Sequence, residues 1–189
     1  MLYVIGPKYP VPEGAEVINT TSRSENWSRG LSPFFVGPVD LYDNYKSVNV
    51  ENAWQFSKVY YNHVDENDNP TEKYFEWAKK GWESIKAYRY PMGKGMTPLF
   101  SYWDGEKLSY VEARKKIYIP LYAKAVQKSF AFQKLKKMHE ENRDLYLWDF
   151  DGYNHKALGL TYEQVINDPN RKMGHAFVIA MLLEGYLHE

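Results

Sequence analysis

The sequence predicts an α+β fold: a helix-rich single domain over residues 1–189 with a small β-sheet. Three observations carry this. The length suits one core large enough to be stable unaided. Several segments repeat apolar residues at helical spacing behind recognisable caps. Short apolar runs bounded by Gly, Pro or Asp stand near the N-terminus and again ahead of the closing helix, the pattern of strands rather than helices.

In chain order, "LYVIG" is an apolar run stopped by Gly6 and Pro7, and "AEVINTTS" alternates, so both read as strands. Residues 22–47 are rich in Ser, Asn, Gly and Pro and read as loop with short strands, "PFFVGPVDLY" among them. A helix opens at Asn49, its expected N-cap, runs through "VENAWQFSKVYYNHV" and stops at the turn cluster "DENDNPT". A second helix over about 71–87 places Tyr74, Phe75, Ala78, Trp82 and Ile85 on one stripe, despite Gly81. "RYPMGKGMTP" is loop. Ser109 and Glu112 stand at capping-box spacing ahead of a third helix, which Pro120 should kink or break. A basic helical segment follows over about 131–142. "DLYLWDF" is the late strand. A closing helix from about Pro169 carries the stripe Met173, Phe177, Ala180, Met181 and Leu187.

Composition sets limits on function. There are 24 Lys and Arg against 24 Asp and Glu, so no global field draws the molecule to nucleic acid. Val111 to Met138 nevertheless holds eight Lys/Arg and one acid, Glu112. That run is either a solvated helical face or a surface for phosphates. The chain has no cysteine, which excludes disulfides, thiolate metal sites and Cys nucleophiles. No 18-residue apolar run or signal-like N-terminus is present, so a soluble, cytoplasmic protein with no membrane partner is expected. Aromatic residues are 17% of the chain, enough to supply both core and planar-ligand platforms.

The candidate site starts with Glu51, Gln55 and Lys58 at i, i+4 and i+7, flanked by Trp54 and Phe56. A carboxylate in a first helical turn is held as the anion, and can stabilise a cationic sugar carbon or orient a water; it is also a common helix-start residue. Lys58 either holds a phosphate or pairs with Glu51 through Gln55. Asp149 and Asp151 in "LWDFDGYNH" share a face if the strand continues, and could supply a second carboxylate; the alternative is a turn that uses Asp and Gly for its geometry. Lys94 in "PMGKGM" sits among open amides, although the spacing is not that of a P-loop. Trp27 and Trp103 are packing residues or stacking platforms. The histidines show no ligand spacing.

Several separated segments together resemble the NADAR superfamily, the YbiA-like N-glycosidases linked to NAD and ADP-ribose metabolism. Its "FSNF"-like segment is similar to "LSPF" at 31–34, with Ser32 and Phe34; its "vEhafQaaK" helix is similar to "VENAWQFSK" at 50–58. Its later loop, "ALRAKF" helix end, strand and closing helix look like Gly93-Lys94, "AVQKSF", "LYLWDF" and "NRKMGHAFVIAML". The likeness covers about residues 26–184. Departures are Asn52 for the family's His, Lys94 for its loop Arg, Asp149 for its late Glu, and one additional residue before Gly174; they mark a divergent branch. The resemblance implies hydrolysis of a ribose C1′–N bond in a phosphorylated ribosyl or ADP-ribosyl compound. It places Glu51, with Asp149 or Asp151, in catalysis. Trp27, Ser32, Phe34, Gln55, Lys58, Lys94 and Trp103 would bind substrate, with no metal or redox cofactor. The alternatives are the same chemistry on ADP-ribosylated or modified bases in nucleic acid, reached through the 111–138 segment, and a non-catalytic ADP-ribose or nucleotide sensor.

Overall fold

A computed structural model describes residues 1–141 and 143–188. The expected helix end at Asn142 and the expected domain end at Glu189 lie outside the described residues. The fold is mixed α+β, rich in helix, with small sheets. The chain forms two compact units: Met1–Val36 with Tyr122–Glu189, and Gly37–Leu121.

The first unit is built on a parallel sheet of β1 (Leu2–Ile5), β8 (Leu145–Trp148) and β2 (Glu16–Asn19), with β8 in the centre. Its register pairs Leu2 with Leu145 and Val4 with Leu147, all buried. The alternate residues Tyr3 and Tyr146 stack on the other face with ring centroids 4.9 Å apart. This period of two is what lets one four-residue run serve core and surface together. Helix α7 (His175–Leu183) packs along β1, and its residues 175–181 are buried all round. It starts six residues later than the expected Pro169, after a loop, and has no single apolar stripe because no face of its first two turns meets water. The unit also contains a 3₁₀ turn at Trp27–Leu31, the latter part of α4 (Ile119–Val126), α5 (Phe130–Glu140) and α6 (Tyr162–Asn167). The last of these goes beyond the periodicity reading; its signal is the capping box of Thr161 and Gln164.

The second unit joins a hairpin, β3 (Val39–Asp40) with β4 (Lys46–Ser47), to the antiparallel sheet β5 (Lys58–Val59), β6 (Phe100–Trp103) and β7 (Glu106–Leu108). Asp43-Asn44 and Asp104-Gly105 both have positive φ at consecutive residues, the geometry that reverses a twisted ribbon. Helix α1 (Val50–Gln55) is much shorter than expected. Ser57 ends it by donating its hydroxyl to the Trp54 carbonyl at 2.6 Å. Lys58 and Val59 then pair with β6, so Lys58 stands on a strand and not on a third helical turn.

Helix α2 (Glu72–Glu83) buries Tyr74, Ala78 and Trp82 as expected, but Ile85 lies past its end and is 85% exposed. Gly81 is required there, because a Cβ would overlap the Phe56 ring. Helix α3 (Tyr110–Ala113) has the predicted Ser109–Glu112 capping box. It runs into a π turn at Arg114–Tyr118 and then α4. Pro120 lacks the N–H that the helical ladder needs, and the register slips in the turn just before it.

Candidate functional site

In the second unit, α1 packs against the 114–118 π turn. Asn49 caps α1 by accepting the Asn52 N–H at 2.8 Å, which sets Glu51 in the first turn. Asn52 donates to the Ser84 and Lys86 carbonyls at 3.3 and 2.8 Å and accepts the Tyr88 N–H at 2.9 Å. Both amide donors and the acceptor are used, so this residue clamps the 84–88 segment to the helix.

With α1 fixed, Gln55 and the β5 residue Lys58 meet beside the Trp54 ring. Glu51 is 7% exposed and Gln55 is also buried. Lys58 donates from Nζ to Gln55 Oε1 at 3.0 Å, and its ammonium lies 5.1 Å from the Trp54 ring centroid. Trp54 in turn meets Tyr118 at 5.2 Å and Tyr110 at 6.5 Å between centroids. Arg114, 2% exposed, sets its guanidinium 4.8 Å above Tyr110. The unit thus holds a buried carboxylate, amide and guanidinium, with Trp54 and Lys58 half-buried and Tyr110 exposed. Burying charged groups costs several kcal/mol per ion in a typical protein, so such clusters persist where partners or function require them.

Arg114, Tyr110 and Tyr118 go beyond the residues singled out in the sequence. Their signal is present there: Arg114 shares the helical stripe of Val111, Ile117 and Tyr118, where a solvated Arg has no place. The π turn is a second pointer, since such turns recur at functional sites. Of the remaining candidates in this unit, Lys94 is exposed between Gly93 and Gly95, both at positive φ. Trp103 packs edge-on to Tyr42 at 4.9 Å and against the Leu108–Ala113–Ile117 cluster, a core position.

The first unit treats its candidate carboxylates differently. Asp149 follows β8 and is buried. Its Oδ2 accepts the Ala176 N–H at 3.0 Å, in the first turn of α7, and its Oδ1 accepts the Asp151 N–H at 3.3 Å. His175 Nδ1 lies 3.3 Å from the same Oδ2, while its Nε2 lies 2.8 Å from the Thr20 carbonyl oxygen. Gly174 has to be glycine because a Cβ would overlap the carboxylate. Tyr122 sets its ring edge-on to His175 and donates to the Leu31 carbonyl at 2.5 Å. Burial pushes its hydroxyl well above the usual tyrosine range, and the Asp149 charge adds to that. Asp149 therefore fastens α7 to the end of the central strand.

Asp151 is half-buried. Ser32 is buried and its Oγ accepts the Phe34 N–H at 3.2 Å, a turn contact, with Phe34 itself half-buried. Trp27 opens the 3₁₀ turn and carries the Lys134 ammonium 5.0 Å from its ring. Among the described residues no three His, Asp or Glu side chains gather as a metal site. No described helix is long and apolar enough to cross a membrane.

Comparison with known proteins adds one assignment. The profile of DUF6939, a family of unknown function, matches residues 5–179. The chain belongs to the DUF6939 family. No curated protein and no solved structure matches it. The DUF6939 match spans α1 with its polar side chains, the π turn and the Asp149 anchor.

Proposed function

We propose that this DUF6939 protein is an N-glycosidase that hydrolyses the C1′–N bond of a phosphorylated ribosyl or ADP-ribosyl compound, with Glu51 as the working carboxylate. The observation that carries the reading is the shielded Glu51 on α1, one turn before Gln55, whose partner Lys58 lies over the half-buried Trp54 ring. Loss of the base builds positive charge on the ribose. A fixed anion in a poorly solvated setting favours that state, and can also hold the attacking water. Lys58 supplies a cation for phosphate, and Trp54 with Tyr110 offers ring faces for a planar base. Water adds to C1′, the C1′–N bond breaks with its electron pair going to the base nitrogen, and the water proton ends on the base. The resemblance to the NADAR enzymes supports the same chemistry. Asp149 enters this scheme only through the fold, because both its oxygens already accept backbone N–H groups.

The test incubates the purified protein with a 5-phosphoribosylamino-pyrimidine and with an ADP-ribosylated guanine nucleoside, and measures released base and ribose product by chromatography. Release that disappears in Glu51→Gln supports the proposal. A protein whose melting temperature rises with these compounds but which releases nothing is a sensor, and the hydrolase reading is then wrong.

A further inference from the structure

We infer that the surface made by residues 27–35 and the exposed stripe of α5 binds single-stranded nucleic acid. This lies in the first unit and uses none of the α1 side chains. The basic run noted in the sequence divides once the fold is known. Arg114 is buried and Lys116 is paired with Glu106 at 2.7 Å, both in the second unit. What remains in the first unit is Tyr122 to His139, with five lysines and no acid.

Aromatic rings interleave with these cations. Phe130, the first residue of α5, is 77% exposed, and Phe35 is 50% exposed. Phe130, Lys134 and Lys137 fall at i, i+4 and i+7 on the solvent side of the helix, a stripe of roughly 10 Å. Lys134 reaches over Trp27, and Arg29 places its guanidinium 4.7 Å from the Phe35 ring. The 27–31 turn sits directly on α5: a Cβ on Gly30 would stand 3.1 Å from that of Ala131. The glycine thus brings both segments into one surface.

Exposed phenylalanines on a folded surface gain nothing from solvent, while lysines alone would make a merely cationic dock for any anion. Together they match a strand that offers base faces and phosphates in alternation. Base–aromatic stacking supplies sequence-tolerant affinity and the cations track the backbone. A duplex hides its base faces and satisfies only the second half of this pattern.

The test is fluorescence anisotropy with a labelled oligothymidylate of roughly twelve nucleotides. At about 50 mM salt it should bind, and a duplex of equal length should bind at least about tenfold more weakly. Phe130→Ala and Phe35→Ala should each weaken binding about fivefold or more, with unchanged melting temperatures. The double variant Arg29→Ala/Lys134→Ala should reduce the slope of log affinity against log salt by about 1.4. Aromatic variants that bind as the wild type does would overturn the inference. So would equal competition by duplex, inorganic polyphosphate or anionic phospholipid vesicles, which would reduce the surface to a general anion patch. Because the readout needs no turnover, these results are separate from the success or failure of the glycosidase reading.

Discussion

The two units each bury a carboxylate that the sequence singles out, and they set it in different surroundings. Asp149 is held by backbone: the Ala176 and Asp151 amides donate to its oxygens, and His175 stands against it. Glu51 lies, 7% exposed, on a six-residue helix that also carries Gln55 and Trp54, the residues against which the Lys58 ammonium rests. Burial alone therefore does not distinguish an anchor from a reactive group. What surrounds the charge does. A helix as short as α1 also contributes little dipole, so the role proposed for Glu51 rests on the side-chain cluster rather than on the helix end.

The comparison can be broken first at Asp149. Asp149→Asn keeps the volume but turns an amide toward N–H donors. It should cost about 3–5 kcal/mol of stability in urea denaturation, because it leaves His175 and the α7 amide without their anion. A loss below about 1 kcal/mol would show that the anchor is ornamental. Next in size is Gly81→Ala. On an ordinary helix this change stabilises by about 1 kcal/mol. Here the methyl meets the Phe56 ring, so a net destabilisation of about 1–3 kcal/mol is expected from the shift in midpoint. If the midpoint rises instead, the α1–α2 packing has been misjudged. Ser109→Ala comes third, with a loss of about 1 kcal/mol for the capping box that starts α3.

The smallest effect concerns protons. Each unit buries one histidine whose Nδ1 has no hydrogen-bond partner, His63 and His155. Burial lowers both from 6.5, with Lys73 and Lys156 respectively adding to it. A depressed histidine is neutral in the fold but takes up a proton in the unfolded chain below about pH 6.5. Stability should thus be complete above that pH and decline as pH falls below it. His155→Gln should flatten the acid side of the stability curve, measured by denaturation between about pH 7 and pH 5. An unchanged curve would mean that His155 titrates alike in both states.

Much of this architecture was legible in the residues. Asn49, Ser109 with Glu112, and the apolar runs at 2–5 and 145–148 announce their elements locally. The failures have a common cause, which is tertiary override of local pattern. Helical spacing from Glu51 to Lys58 is real, yet the Ser57 hydroxyl and the pairing of β5 with β6 end the helix early. Ile85 fits the α2 stripe but falls beyond its last hydrogen bond. The Asp104-Gly105 turn carries a strong local hairpin signal, yet the predicted elements leave residues 99–108 unassigned between a loop and the third helix. For the candidate site, spacing puts Gln55 and Lys58 on one side and their side chains do meet, although Lys58 stands on β5 and not on the helix. Arg114 and its aromatic neighbours carry a weaker signal, the stripe that Arg114 shares with Val111, Ile117 and Tyr118, which the basic run around it masks.

The central claim is that Glu51 serves chemistry while Asp149 serves the fold. Its most direct test is the single-turnover rate of base release by Glu51→Gln at saturating substrate, on protein shown to be folded. A fall of about 10²–10³-fold with substrate affinity retained is the predicted result. A folded variant that turns over at the wild-type rate would contradict it.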